Sequence, residues 1–235
     1  MKYIFSGLSV LLLILSCAKN ENNMFVSGTV KGLKKGKIIL LKAQDTSLVG
    51  IDTLVVNGDA TFSFTETVES PELYFLQLHI ENETLKDKLL SFFAEPGEIN
   101  VTTSLENFTT TAVITGSKNQ EKFEEYRKLM RRYTDRNLDL IEEELSAVRD
   151  SNDSLREAIQ KKRNSTTTGR YLATVNFAMN NNDYELAPYL MLSEVYDANV
   201  KYLDTVYTSL TPKIKDSKYG KALESYIVEI KKSEN

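Results

Sequence analysis

The spacing of apolar residues changes once along this chain, at Gly116-Ser117, and that change restricts the fold more than any other feature. Before it, apolar residues alternate or run in short blocks. Val26 to Val30 alternates, Ile38 to Leu41 and Ile51 to Val56 are strand-like, and Phe62 and Phe64 alternate with Ser63 and Thr65. Tyr74 to Ile80, Leu89 to Ala94, Ile99 to Thr103 and Ala112 to Thr115 complete a set of about eight short strands. Turn signals separate them: Gly32 to Gly36, Asn57-Gly58-Asp59, Pro71 and Pro96-Gly97. Asn57-Gly58 reads as a hairpin turn, because both residues tolerate positive φ. The spacing predicts an antiparallel β-sandwich or open barrel, with strand order open and a loop over residues 81–88.

After Ser117, Phe123, Tyr126, Met130, Tyr133, Leu138, Ile141, Leu145 and Val148 recur at intervals averaging about 3.6, the α-helical period. The spacing predicts a long amphipathic helix with this set as its apolar seam. Ser154-Leu155-Arg156-Glu157 reads as a capping box opening the next helix. Tyr171, Leu172, Val175, Ala178 and Met179 form a third face, stopped by Asn180-Asn181-Asn182. Asp183 is placed to cap a fourth helix around Pro188, and Val200 to Leu210 form a fifth, broken by Thr211-Pro212. Ser217 caps a last helix carrying Tyr219, Leu223, Tyr226, Ile227 and Ile230. The fold class is therefore α+β: an N-terminal β-sandwich or open barrel over residues 24–116, then a C-terminal helical bundle over residues 117–235.

Residues 1–16 are read as an address. Lys2 supplies a positive n-region, and the apolar run Leu8 to Leu15 has signal-peptide length. Ile14-Leu15-Ser16-Cys17 resembles a bacterial lipobox, set against the plainer readings of an ordinary secretory leader or an uncleaved anchor with a stray Cys. The resemblance implies cleavage before Cys17, a diacylglyceryl thioether on its sulfur and acylation of the new amine. Residues 17–23 then form a polar tether, and the acyl chains hold the membrane at about 0.8 kcal/mol per buried CH₂. Ala18 after the Cys, in place of Asp, implies the outer membrane, and Lys19-Asn20-Glu21, which is not the strongly acidic cluster linked to surface export, favours its periplasmic face over the cell surface.

Composition removes several chemistries. A net charge of −4 gives no basic excess for phosphates, so no nucleic-acid partner is expected. One Cys and one His leave no CxxC pair, no intrachain disulfide, no thiolate zinc site and no His-rich metal site, and no cofactor is expected. His79 shares a strand face with Phe75, Gln77 and Glu81 and reads as a solvated strand residue in preference to a pH sensor or binding residue. Gly32 to Lys37 superficially matches a phosphate loop but has one residue too few between its glycines, and Ile38 stands where Ser or Thr would hold Mg²⁺; it reads as a hairpin turn. Glu142-Glu143-Glu144 reads as a charged helix face. Phe62, Phe64, Tyr74, Phe75, Phe92 and Phe93 are assigned to core packing, with a ligand groove as the alternative. Asp52-Thr53-Leu54, Asp153-Ser154-Leu155 and Asp204-Thr205-Val206 match a short O-glycosylation pattern.

The order of these features resembles a known family. Phe25-Val26-Ser27-Gly28-Thr29-Val30-Lys31-Gly32-Leu33, Gly36-Lys37-Ile38, Asp52-Thr53, Asn57-Gly58-Asp59, Pro71, Pro96-Gly97 and Val113-Ile114-Thr115-Gly116-Ser117 together resemble the N-terminal domain of unknown function of TlpA/ResA-like thiol-disulfide oxidoreductase lipoproteins. The helical half, with Asn181-Asn182-Asp183 and Ser217-Lys218-Tyr219-Gly220, is similar to the linker preceding their thioredoxin domain. The Trp-Cys-x-x-Cys motif of that domain has no counterpart, since the chain holds no Trp and one Cys, and no catalytic residue carries over. The resemblance implies a non-catalytic, lipid-anchored envelope protein acting by binding, with a protein partner in the envelope. The alternative is a partner or regulatory subunit of a separately encoded thioredoxin-like oxidoreductase.

Thiol-disulfide exchange needs an attacking thiolate, and a resolving thiol for an intramolecular cycle. Residues 24–235 contain no Cys. This segment, supplied with dithiothreitol, is expected to reduce insulin no faster than buffer containing dithiothreitol alone; turnover above that background refutes a non-catalytic role.

Overall fold

The computed structural model describes residues 22–44, 46–80 and 88–233. The signal segment 1–16, Cys17, all of the tether before Asn22 and most of the expected 81–88 loop lie outside the described residues. Eight strands among the described residues, β1 (Asn23–Lys31), β2 (Lys35–Gln44), β3 (Ser47–Asn57), β4 (Thr61–Thr67), β5 (Glu72–His79), β6 (Lys88–Ala94), β7 (Gly97–Ser104) and β8 (Val113–Thr115), form two four-stranded sheets. One sheet has the order β4-β1-β7-β8 and the other β3-β2-β5-β6. Asn23, assigned above to the tether, already pairs with Thr67 as the first residue of β1.

The strand pattern explains the sandwich. Met24, Val26 and Val30 of β1, Ile38 and Leu40 of β2, Tyr74, Leu76 and Leu78 of β5, and Ile99 and Val101 of β7 turn to one face of their strands and share one core with Phe62, Phe64 and Phe92. Gly28 keeps the β1–β7 pair close: a Cβ there would stand 1.9 Å from the Val101 carbonyl oxygen. That pair is parallel, with Met24 opposite Gly97, whereas alternation had pointed to an all-antiparallel arrangement. Alternation reports which face a residue takes; strand direction is set by how the chain returns, and here β1 is flanked by β4 and β7.

Two turns expected to close hairpins do not. Gly32 to Gly36 carries the chain from β1 in one sheet to β2 in the other, and Asn57-Gly58 carries it from β3 back to β4. Val68 to Pro71 and Glu95-Pro96 also cross between sheets. Positive φ at Gly58 (103°) supplies the sharp reversal that Asn-Gly predicts, but a reversal serves a sheet-to-sheet crossing as well as a ladder. The tight hairpin is β2–β3, closed where Gln44 pairs with Ser47 and bulged between Leu40 and Leu41, without an Asn-Gly signal.

The helical half contains α1 (Lys118–Arg149), α2 (Asp153–Asn180), α3 (Leu186–Ser193), α4 (Val200–Ser209), the short α5 (Pro212–Lys215) and α6 (Lys218–Ser233). Ser117 caps α1 by accepting from the Gln120 N–H at 3.0 Å. The second helix and the third face of the sequence are one helix, α2, and its cap is Asn152, accepting from the Leu155 N–H at 3.0 Å, rather than Ser154. The N-cap position of α3 is Glu185, not Asp183. Ser217 caps α6 as expected, accepting from the Gly220 N–H at 3.1 Å. Val175, Ala178, Met191, Val195, Leu203, Val206, Ile214, Leu223 and Ile227 form a second core among α2 to α6.

Phe92 and Phe93 link the sandwich core to a third cluster, in which Phe93 packs with Tyr126, Leu186 and Leu190. Phe92 and Phe93 are successive residues of β6, so they face opposite ways. Phe92 packs inside the sandwich, edge-on to Tyr74 at 6.3 Å between ring centroids. Phe93 faces the helices and meets Phe123 of α1 at 5.7 Å, Tyr189 of α3 at 5.4 Å and Tyr219 of α6 at 6.5 Å. The Phe93 N–H, on the free edge of its sheet, donates to Gln120 Oε1 at 2.9 Å, and the Leu73 N–H donates to the Tyr219 hydroxyl at 3.0 Å. Phe93→Ala is expected to cost about 3–5 kcal/mol in urea unfolding followed by circular dichroism. A loss below about 1 kcal/mol would mean that the helical half does not depend on this ring.

Candidate functional site

The edge strands β8 and β6 flank the same open side of the sandwich, and the first half of α1 runs across it in contact with both. The helix does not close that side completely. A groove of about 650 Å³ remains, floored by Leu90 of β6 and by Ala112 and Ile114 at β8, with Thr109 and Thr110 at one lip. Its α1 wall is Glu124, Arg127, Lys128 and Arg131, an i, i+3, i+4, i+7 set that the helical period places on one face. Leu90 also belongs to the sandwich core, so the groove reaches the edge of that core.

The wall carries three cations against one carboxylate, and the carboxylate is already engaged. Glu124 Oε1 accepts from Gln120 Nε2 at 2.8 Å and from Arg127 at 3.3 Å. The Arg127 guanidinium also stands 5.7 Å from the centre of the Phe123 ring. Lys128 and Arg131 are exposed, and among the described residues no ion pair or hydrogen bond engages them. The arrangement offers two uncommitted cations above an apolar floor, the chemistry that holds an anionic group attached to an apolar body.

A second polar cluster lies where the sandwich meets α1 and α3. Asn119 Nδ2 donates to Glu95 Oε2 at 2.8 Å and to Glu185 Oε2 at 2.9 Å, and Asn119 Oδ1 accepts from the Leu186 N–H at 2.9 Å. Glu95 also accepts the Lys118 N–H at 2.5 Å, an acidic group at a helix start. These bonds use the functional atoms of Asn119 on structure, so this cluster is a joint between elements.

The residues singled out in the sequence are scattered over the molecule. His79 is half-buried on the outer face of β5, opposite Lys37. Gly32 to Lys37 is an inter-sheet turn. Glu143 and Glu144 are not simply solvated: they bridge α1 to α2 through Lys162 at 3.1 Å and Arg163 at 2.5 Å. Phe62, Phe64, Tyr74, Phe92 and Phe93 are buried core residues, while Phe75 is half-buried on the outer face of its sheet. Thr53, Ser154 and Thr205 are all exposed. Cys17 lies outside the described residues. Among the described residues no group of three or more His, Cys, Asp or Glu is placed to hold a metal ion, and no helix is long and apolar enough to cross a membrane. The groove itself was missed, although the i, i+3, i+4, i+7 set was visible as charge on the polar face of a helix; what it faces depends on β8.

A family model described as "Domain of unknown function (DUF4369)" matches residues 24–123. The matched span is the sandwich from the second residue of β1 onward plus the start of α1, including Asn119, Gln120 and Phe123. The expected likeness of the N-terminal half to a domain of unknown function holds over that span. No curated protein and no solved structure matches the chain.

Burial sets the titration of the aromatic joint. The Tyr126 hydroxyl, bonded to Thr174 at 3.0 Å, is pushed up to about 12 by burial, against an ordinary value of 10.0. Burial raises Tyr189 and Tyr219 as well. The unfolded chain thus gives up these protons at lower pH than the folded one, so the stabilisation is complete below about 10 and falls as pH rises through about 12. The urea midpoint is expected to drop across that range, and Tyr126→Phe to make the drop shallower. An unchanged slope in the variant would remove Tyr126 from the alkaline transition.

Proposed function

We propose that this chain is a non-catalytic, lipid-anchored binding protein of the cell envelope. In this reading Cys17 carries the membrane anchor at the outer membrane, on its periplasmic face, and the groove between α1 and the sandwich edge takes an anionic ligand with an apolar body. The observation that carries the binding role is the pair of uncommitted cations, Lys128 and Arg131, above the apolar floor of Leu90, Ala112 and Ile114. The leader ending at Cys17 supports the anchor, and the single Cys and single His support a role without thiol, metal or triad chemistry. Neither a cofactor nor a nucleic acid enters this reading.

Two measurements test it. Cells growing on labelled palmitate should label the full chain and not Cys17→Ala, and the variant should leave the membrane fraction; a Cys17→Ala form that keeps both label and membrane refutes the anchor. For the groove, the probe is a dye-labelled Asp-Phe-Asp-Leu peptide, with its Lys-Phe-Lys-Leu counterpart as control. The acidic peptide should bind the full chain, and Lys128→Glu/Arg131→Glu should weaken it by at least about tenfold, equivalent to about 1.4 kcal/mol. Equal binding of both peptides, or of chain and variant, refutes the groove.

The second reading is a partner of a separately encoded thioredoxin-like oxidoreductase. Its support is that the family match covers residues 24–123, the span whose residue order resembles the N-terminal module of such enzymes. A pull-down with the full chain that returns no thiol oxidoreductase, from a locus encoding none nearby, counts against it.

A further inference from the structure

The distal half of α1 carries two apolar seams, and among the described residues only one has a partner. Leu140 and Ala147 are buried against Ile159 of α2. The bridges Glu143–Lys162 and Glu144–Arg163 flank that contact and hold α2 to the same side. Leu138, Ile141, Leu145 and Val148 follow each other at intervals of 3, 4 and 3, the spacing of coiled-coil core positions. They lie on the side away from α2. Leu138 is 59% exposed, Leu145 66% and Val148 53%, while Ile141 is half-buried. Single exposed apolar residues are ordinary, but an unbroken run at core spacing, three turns long, on the outside of a helical hairpin is not.

We infer that this seam is a self-association surface, occupied by the same seam of a second copy of this chain running antiparallel. Antiparallel pairing sets Leu138 of one copy against Val148 of the other, and Ile141 against Leu145. The two-fold axis repeats both contacts, so the seam builds four complete layers against itself. The charges at its rim agree with this direction. Asp135 lies one turn before the seam and Arg149 directly after it, both on the flank that also carries Glu142. The antiparallel copy brings Asp135 of each chain to Arg149 of the other, giving two ion pairs by symmetry. Glu142, near the axis, meets its own symmetry mate, a like-charge contact that opposes the dimer. Four apolar residues per chain fall short of a standard interface of about 1,200–2,000 Å², so association is weak and depends on concentration. This surface is separate from the groove, and neither depends on the other.

The test uses the full chain in detergent, with wild type, whose only Cys is Cys17, as the control. A short bis-maleimide should join Leu138→Cys/Val148→Cys into dimers, because each introduced thiol meets its counterpart across the interface. Leu138→Cys alone should stay near the wild-type background, since antiparallel pairing holds two copies of position 138 about ten residues of helix, or about 15 Å, apart. Adding Leu145→Glu should abolish the product. Sedimentation equilibrium on chains without introduced Cys supplies an independent readout. Leu145→Glu should raise the dimer dissociation constant at least about tenfold, and Glu142→Gln should lower it several-fold by removing the like-charge contact. Cross-linking of the single variant as strong as the double shows a parallel arrangement and overturns the inference. A wild-type chain that stays monomeric to millimolar concentration, or Leu145→Glu associating like wild type, overturns it too.

Discussion

Two adjacent aromatic residues on one edge strand hold this molecule together. Because side chains alternate across a strand, Phe92 must enter the sandwich if Phe93 is to leave it. One residue closes the β core and the next anchors the cluster of Tyr126, Leu186 and Leu190 between sandwich and helices, and β6 is the element common to both. The same strand would otherwise end its sheet with unpaired backbone groups. Gln120 takes the Phe93 N–H, and the ring contacts with Phe123, Tyr189 and Tyr219 place α1, α3 and α6 around that edge. The groove is a by-product of this docking: α1 is fixed at its start by the Phe93 joint, and farther along it stands off from β8.

Much of the architecture could be read from residue spacing, because spacing reports which side of an element a residue takes. The switch at Gly116-Ser117 falls between β8 and the Ser117 cap of α1. Thr211-Pro212 and Ser217 mark real helix boundaries. What spacing does not report is which element lies on that side. Leu138, Leu145 and Val148 sit at helical period and are exposed, whereas Leu140 and Ala147, at the same period on another face, are buried with Ile159 of α2. The turn signals behave the same way. Asn57-Gly58 bends the chain as its chemistry requires, yet it bends it into the other sheet.

The groove was less legible than the fold for a related reason. Lys128 and Arg131 look like ordinary solvated helix charges in sequence, and Thr109 to Ala112 like an ordinary loop. Their juxtaposition is a tertiary fact, created where α1 meets the edge of a sheet formed by strands distant in sequence. The polar cluster at Asn119 illustrates the opposite outcome. Its two carboxylates and amide have the composition of a site, but each is consumed by bonds that fix α1 and α3 to the sandwich.

The parallel pairing of β1 with β7 bears on how the chain reaches this structure. Met24 and Gly97, adjacent in the sheet, are separated by about 70 residues of sequence, and β2 to β6 lie between their strands. The entropy of closing so long a loop must be met before that pairing gives any return, whereas α1 and α2 meet across a turn of three residues, Asp150 to Asn152. The helical hairpin can therefore form early on local contacts alone. Loop-closure entropy puts the sandwich after the hairpin, and until β7 pairs, β1 has β4 on one side and an open edge on the other. A chain emerging from its N-terminus would hold that edge exposed longest, which makes β1 the segment most in need of protection while the molecule is being made.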